Sequence, residues 1–146
     1  MKRLVRFVCI VLAFSLFLAI PSYAESPAEP RGSAFFAAYS TDLAKFSSTS
    51  FNIWFDVDAN AAQMDVIGVS EIIVYQSADQ QNWTQTRTFY MEDWPEMIDT
   101  NTASHVGHIR YNYATPGYYY TAYITFYAKN STGIGERYVY TEILKM

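Results

Sequence analysis

The sequence predicts an all-β fold, an antiparallel sandwich of about seven strands. Three observations carry this. Apolar and polar residues alternate in short runs between residues 51 and 144. Clusters of Gly, Pro, Asn, Asp and Ser separate those runs at short intervals. No stretch beyond residue 24 keeps a helical period. Alternation with period two marks half-buried strands, and many short strands with closely spaced turns mark a sandwich.

The first element is not part of that fold. "MKRLVR" carries three positive charges, "FVCIVLAFSLFLAI" is an apolar run of fourteen, and "PSYA" ends in small residues at Ser22 and Ala24. That order reads as a secretory signal peptide over 1–24, cleaved after Ala24. Fourteen helical residues span about 21 Å, short of a hydrocarbon core of about 30 Å. "ESPAEPRGSA" (25–34) reads as a flexible leader, and residues 35–146 as a single domain.

Strand expectations follow in chain order. "FFAAYS" (35–40) is a short first strand or a loose apolar segment, and "STDLAKF" (40–46) has the makings of one helical turn capped by Ser40 or Thr41. "FNIWFDVDA" (51–59) sets Phe51, Ile53, Phe55 and Val57 on one face, opposite Asn52, Trp54, Asp56 and Asp58. "ANAAQMDVIG" is a connection ending at Gly68. "SEIIVYQS" (70–77) and "WTQTRTFYM" (83–91) form a hairpin around "ADQQN". "EDWPEMIDTNTA" (92–103) is a loop. "SHVGHIRYNY" (104–113), the tyrosine-rich run to about Lys129, and "ERYVYTEIL" (136–144) complete the strands, with turns at "ATPG" and "NSTGIG".

Composition limits the function. The one cysteine, Cys9, lies in the signal, so the mature chain has none. An exported chain without disulfides must be held by burial, and thiol catalysis, thiolate zinc sites and iron–sulfur clusters are excluded. Loss of Lys2, Arg3 and Arg6 leaves seven basic against fourteen acidic residues, a net charge of −7. An acidic surface disfavours nucleic acid and anionic lipid as partners. No nucleophile elbow, phosphate loop or dinucleotide fingerprint is present, so neither enzyme activity nor a cofactor is expected. No apolar segment recurs near the C-terminus, so release into the extracellular medium without a membrane anchor is expected.

"TPGYYYTAYITFYAKNSTGIGERYVYT" resembles the end of a fibronectin type III or immunoglobulin-like domain. A Pro-Gly turn leads into a Tyr-bearing strand that ends in Ala-x-Asn and a Gly-containing turn before the last strand. Pro116, Gly117, Tyr120, Ala128, Asn130 and Gly133 match in kind, with a longer interval than usual from Tyr120 to Ala128. "IIVYQSADQQNWTQT" resembles a common hairpin of such domains. The mature chain further resembles small secreted immunoglobulin/fibronectin type III-like proteins of Gram-positive anaerobic bacteria, through "FDVDA", "IGVSEIIVYQSAD", "NTASHVGHIRY" and "YYYTAYITFYAKN". The resemblance implies an immunoglobulin-like antiparallel β-sandwich and secretion, and no activity.

Candidate sites are weighed against ordinary structural roles. His105 and His108 are three apart, which on a strand puts them on opposite faces, so they cannot share a metal. Asp56, Asp58 and Asn60 begin like a calcium loop, but Ala61 and Ile67 stand where Gly and Glu are needed, leaving a solvated strand face. Glu92, Asp93, Glu96 and Asp99 around Trp94 offer paired carboxylates, yet acid–base pairs need burial and fixed separation, so a solvated loop is the simpler reading. Asn82 and Asn130 head N-glycosylation sequons in expected turns, as acceptors would, and in a bacterial source the match is expected to be accidental.

The tyrosines remain. Nine of the twelve in the mature chain fall in the last 36 residues. Period two sorts "YYTAYITFYA" into an inner row, Tyr120, Ala122, Ile124, Phe126 and Ala128, and an outer row, Tyr119, Thr121, Tyr123, Thr125 and Tyr127. The outer row either stabilises the sheet through cross-strand packing or serves as a contact platform. Tyr119, Tyr123 and Tyr127 are therefore the candidate binding residues; the facing of Tyr111, Tyr113, Tyr138 and Tyr140 is left open. The expected function is non-enzymatic surface contact with a protein partner or with itself, as a weak homo-oligomer. The alternative is a carbohydrate-binding module using the tyrosine-rich face.

Overall fold

The computed structural model describes residues 35–60 and 63–146. The expected signal and leader, 1–34, lie outside the described residues. Among the described residues, nine strands are formed: β1 (Phe36–Lys45), β2 (Phe51–Ala59), β3 (Met64–Ser77), β4 (Thr84–Tyr90), β5 (Ile98–Thr102), β6 (Ser104–Tyr111), β7 (Tyr119–Asn130), β8 (Gly133–Tyr140) and β9 (Leu144–Lys145). A 3-10 turn at Pro95–Met97 precedes β5. The smaller sheet has the order β1-β2-β6; the larger follows β4-β3-β7-β8, with β5 added to β3 and β9 to β7. Every pairing is antiparallel. The fold is all-β and sandwich-like.

Alternation builds the core. On β2, Phe51, Ile53, Phe55 and Val57 are buried while Trp54, Asp56 and Asp58 are exposed. The inner row of β7, Tyr120 to Ala128, is fully buried. The two faces meet ring to ring: Phe51 on β2 lies 5.2 Å from Tyr120 on β7, and Tyr39 on β1 lies 5.2 Å from Phe126. Full burial of one such side chain stabilises by about 1.5–3 kcal/mol. The inner row therefore fixes which way the outer row faces, because a one-residue slip would exchange them.

Three expectations are corrected. Residues 40–46 form no helical turn; β1 runs on to Lys45, pairing Thr41 with Phe55 and Leu43 with Ile53. A lone helical turn fixes about six dihedrals for one hydrogen bond. The extended form joins a ladder, buries Leu43, and lets the Thr41 hydroxyl donate to the Trp54 carbonyl oxygen (2.8 Å). The connection expected up to Gly68 is already strand from Met64, which is fully buried. The loop expected over 92–103 contains the 3-10 turn and β5. Buried Met97 anchors it, and the backbone passes so close to Gly68 that a Cβ there would lie 2.2 Å from the Met97 carbonyl oxygen. With φ at +149°, Gly68 also adopts backbone that L side chains rarely take. The strand total thus exceeds about seven because β5 and β9 are short strands at the margins of β3 and β7.

Candidate functional site

Register decides what shares the outer face of the larger sheet. β7 pairs Tyr123 with Ile73 on β3 and with Tyr140 on β8. Thr121 lies opposite Tyr75, and Thr125 opposite Tyr138. The candidates Tyr119, Tyr123 and Tyr127 all stand on this face, each half-buried. Thr121 and Thr125 between them are buried, because short side chains sit low beneath tall tyrosines on the neighbouring strands. The face is therefore ridged, with tyrosines as ridges and threonines as hollows.

Aromatic contacts link one part of it. Tyr140 lies 4.8 Å from Tyr123 and 6.5 Å from Tyr75 between ring centroids. Tyr123 and Tyr138 stack with planes 6° apart at 6.1 Å. At the Thr121 hollow the face opens into a cleft of about 470 Å³ lined by Tyr75, Trp83, Thr121, Tyr140, Thr141 and Ile143. Its floor is internally satisfied: the Thr121 hydroxyl donates to the Thr141 carbonyl oxygen (3.0 Å), and the Ala122 amide donates to the Thr141 hydroxyl (2.9 Å). The walls are aromatic and carry polar handles, two phenol hydroxyls and an indole N–H.

The turn before β4 delivers Trp83. One Asp79 carboxylate oxygen accepts from the Gln81 and Asn82 amides (2.9 and 2.8 Å) and from the Ser77 hydroxyl (2.9 Å); the other accepts from the Asn82 side-chain amide (2.8 Å). These bonds, the Asn82 and Gln81 amides first, hold the Asp79 carboxyl well below the usual carboxylate range. The loop is fixed up to the residue before Trp83.

The tyrosine hydroxyls differ in setting. Partial burial, then the neighbouring Tyr140, Glu71 and Tyr123, push the Tyr75 hydroxyl up. The Tyr138 hydroxyl donates to Glu136 Oε2 (2.6 Å), which raises it. Tyr119, beside Lys145 and Gln80, is lowered by hydrogen bonds from both, and the Lys145 ammonium lies 5.2 Å from its ring centroid. Tyr119 and Tyr127 lie outside the cleft lining, two and six residues from Thr121 along β7, or about 7 and about 20 Å at about 3.3 Å per residue.

Sequence reasoning missed Tyr75, Trp83, Tyr140 and Ile143 as a group. Period two in "IIVYQS" was enough to place Tyr75 opposite Val74 and Ile72, but its juxtaposition with Tyr140 needs the β3–β7–β8 register. Of the tyrosines left open, Tyr111 is buried in the core, with its hydroxyl pushed up by that burial, and Tyr113 is exposed. Tyr138 and Tyr140 stand on the outer face of the larger sheet.

The other candidates occupy separate places. His108 is exposed on the smaller sheet, its ring 4.5 Å from that of Trp54 and tilted by 32°; half-buried His105 faces the other way, 5.7 Å from Phe55, and its Nε2 donates to the Glu96 carbonyl oxygen (3.0 Å). Among the described residues, no group of three or more His, Asp or Glu is placed to hold a metal. Asp56 and Asp58 are exposed, as are Glu92, Asp93, Glu96 and Asp99, while Trp94 packs edge-on against Phe89 at 5.2 Å.

Neither a protein-family model nor a curated protein matches the chain. Among solved structures, the chain is similar to the sporulation control protein Spo0M from Bacillus subtilis, with 9% identity and a TM-score of 0.40, over 73% of this chain and 49% of that one. The chain spans about half the length of that protein.

Proposed function

We propose that the protein is a secreted, non-enzymatic binding module that acts by surface contact through the outer aromatic face of its larger sheet. The observation that carries this reading is the tyrosine ridge together with the aromatic cleft at Thr121, both on one sheet face. Tyrosine gives large, rigid contact area with a hydroxyl handle at low entropic cost, which suits recognition. The carboxylates raised as catalytic candidates stand exposed, away from that cleft.

The finer fold reading is an immunoglobulin-like, fibronectin type III-like domain. Two features support it. The first, second and sixth strands form one sheet, and the fourth, third, seventh and eighth form the path of the other, the crossover order of such a Greek-key sandwich. The Tyr120 hydroxyl accepts from the Thr115 amide five residues upstream (2.7 Å) and donates to Gln76 Oε1 (3.1 Å), as a corner tyrosine does. Domains of this kind commonly present loops or a sheet face to partners, which agrees with surface contact.

Retention on intact Gram-positive cells and their extracellular polymer tests the reading. Mature wild type is expected to be retained, and a Tyr75→Ser/Tyr123→Ser/Tyr140→Ser variant with an unchanged circular dichroism spectrum is expected to wash off. Equal retention of the two, or none of wild type, contradicts the proposal.

A further inference from the structure

The geometry points to the cleft between Tyr75 and Tyr140 as a binding site for the uncharged sugar rings of a polysaccharide. This rests on the reading that the outer face of the larger sheet is the binding face, and names its ligand.

Thr121 on β7 is a short side chain in the cleft lining, between the strands that carry Tyr75 and Tyr140. Its volume of about 470 Å³ falls in the range of small-molecule sites, about 300–1,000 Å³. None of its six lining residues carries a charge. An anionic ligand would find no ion pair, and the nearby Glu71, close enough to act on the Tyr75 hydroxyl, would repel it. A purely aliphatic ligand that covered the phenol and indole groups would leave them without hydrogen-bond partners, which is unfavourable. The floor hydroxyls are already bonded within the protein, so the floor offers a fixed surface. What fits is a ring that is apolar on its face and hydroxylated at its edge. A pyranose presents C–H groups to the aromatic walls and hydroxyls to the Tyr75, Tyr140 and Trp83 polar atoms.

The site also has an extension. Tyr140 continues into Tyr123 at 4.8 Å and from there to the stacked Tyr138. A chain that seats one ring in the cleft runs on over this ridge, so a polymer gains contacts that a single sugar lacks.

Titration calorimetry with cellohexaose, xylohexaose, mannohexaose and chitohexaose tests this, with polygalacturonate and a proline-rich peptide as controls. The mature chain is expected to bind at least one neutral hexasaccharide, and to bind it about tenfold more tightly than the matching disaccharide. Tyr140→Ala is expected to weaken binding at least about tenfold. That ring is 60% exposed, so its loss leaves the core intact. Trp83→Ala, at the other wall, is expected to do the same, and Val106→Ala, exposed on the smaller sheet, to leave affinity unchanged. Binding of no neutral hexasaccharide, equal binding by Tyr140→Ala, or capture of the polygalacturonate or the peptide in the cleft instead would overturn the inference. Face-dependent retention on cells without saccharide binding overturns the sugar ligand alone; loss of face-dependent retention overturns the binding face itself.

Discussion

Tyr119 and Tyr120 are neighbours on one strand, and they have opposite surroundings. Tyr120 points between the sheets, is fully buried, touches Phe51 and Tyr111, and uses its hydroxyl twice. Tyr119 points outward, is half-buried, and meets Lys145. The same contrast runs along β7: an inner row with no exposure and an outer row of half-exposed tyrosines separated by low threonines. The difference teaches that a side chain's type does not assign its task here; its parity does. The inner row holds the fold, and the outer tyrosines keep half-exposed rings on the face proposed for binding.

Substitutions can break that division. The largest effect is expected for Tyr120→Ala, a loss of about 3–5 kcal/mol as for other buried aromatic truncations, read by denaturant unfolding. Tyr120→Phe keeps the ring but leaves the Thr115 amide and Gln76 without their partner, and is expected to cost about 1–3 kcal/mol. Tyr123→Ala, on the outer row, removes cross-strand packing with Tyr138 and Tyr140 and is expected to cost under about 1 kcal/mol for each pair. If Tyr123→Ala proved as destabilising as Tyr120→Ala, the outer row would be structural and the division would fail.

The smallest effect concerns the turn that presents Trp83. Asp79 is held below its ordinary value, so its contribution to stability is present above the unfolded carboxylate range, near about 4, and is lost as pH falls through the folded value. Melting temperatures of wild type and Asp79→Ala are expected to differ at neutral pH and to converge as the solution is acidified. A gap that stays constant with pH would mean that the carboxylate does not organise the turn.

Much of this division is legible in the sequence, and its limits are physical. Period two sorts β2 and β7 correctly because each has one face covered by the opposite sheet, so apolar residues must alternate. It also sets Tyr119, Tyr123 and Tyr127 on the outer face. It says nothing of which outer residues from different strands become neighbours. Tyr75 and Tyr140 are brought together across β7 by the β3–β7 and β7–β8 registers, the first of which carries a shift between Val69 and Glu71. Such shifts displace a face by one residue, and they depend on partners far away in the chain. Residues 40–46 looked helical for a related reason: their strand character comes from pairing with β2, which local propensity does not report.

The most direct measurement of the central claim is amide chemical-shift mapping of residues 35–146 titrated with the neutral hexasaccharides. Perturbations confined to the surroundings of Tyr75, Trp83, Thr121 and Tyr140, with the inner row of β7 unmoved, are the predicted result. Perturbations centred on Trp54 and His108 of the smaller sheet, or none with any saccharide, would contradict it.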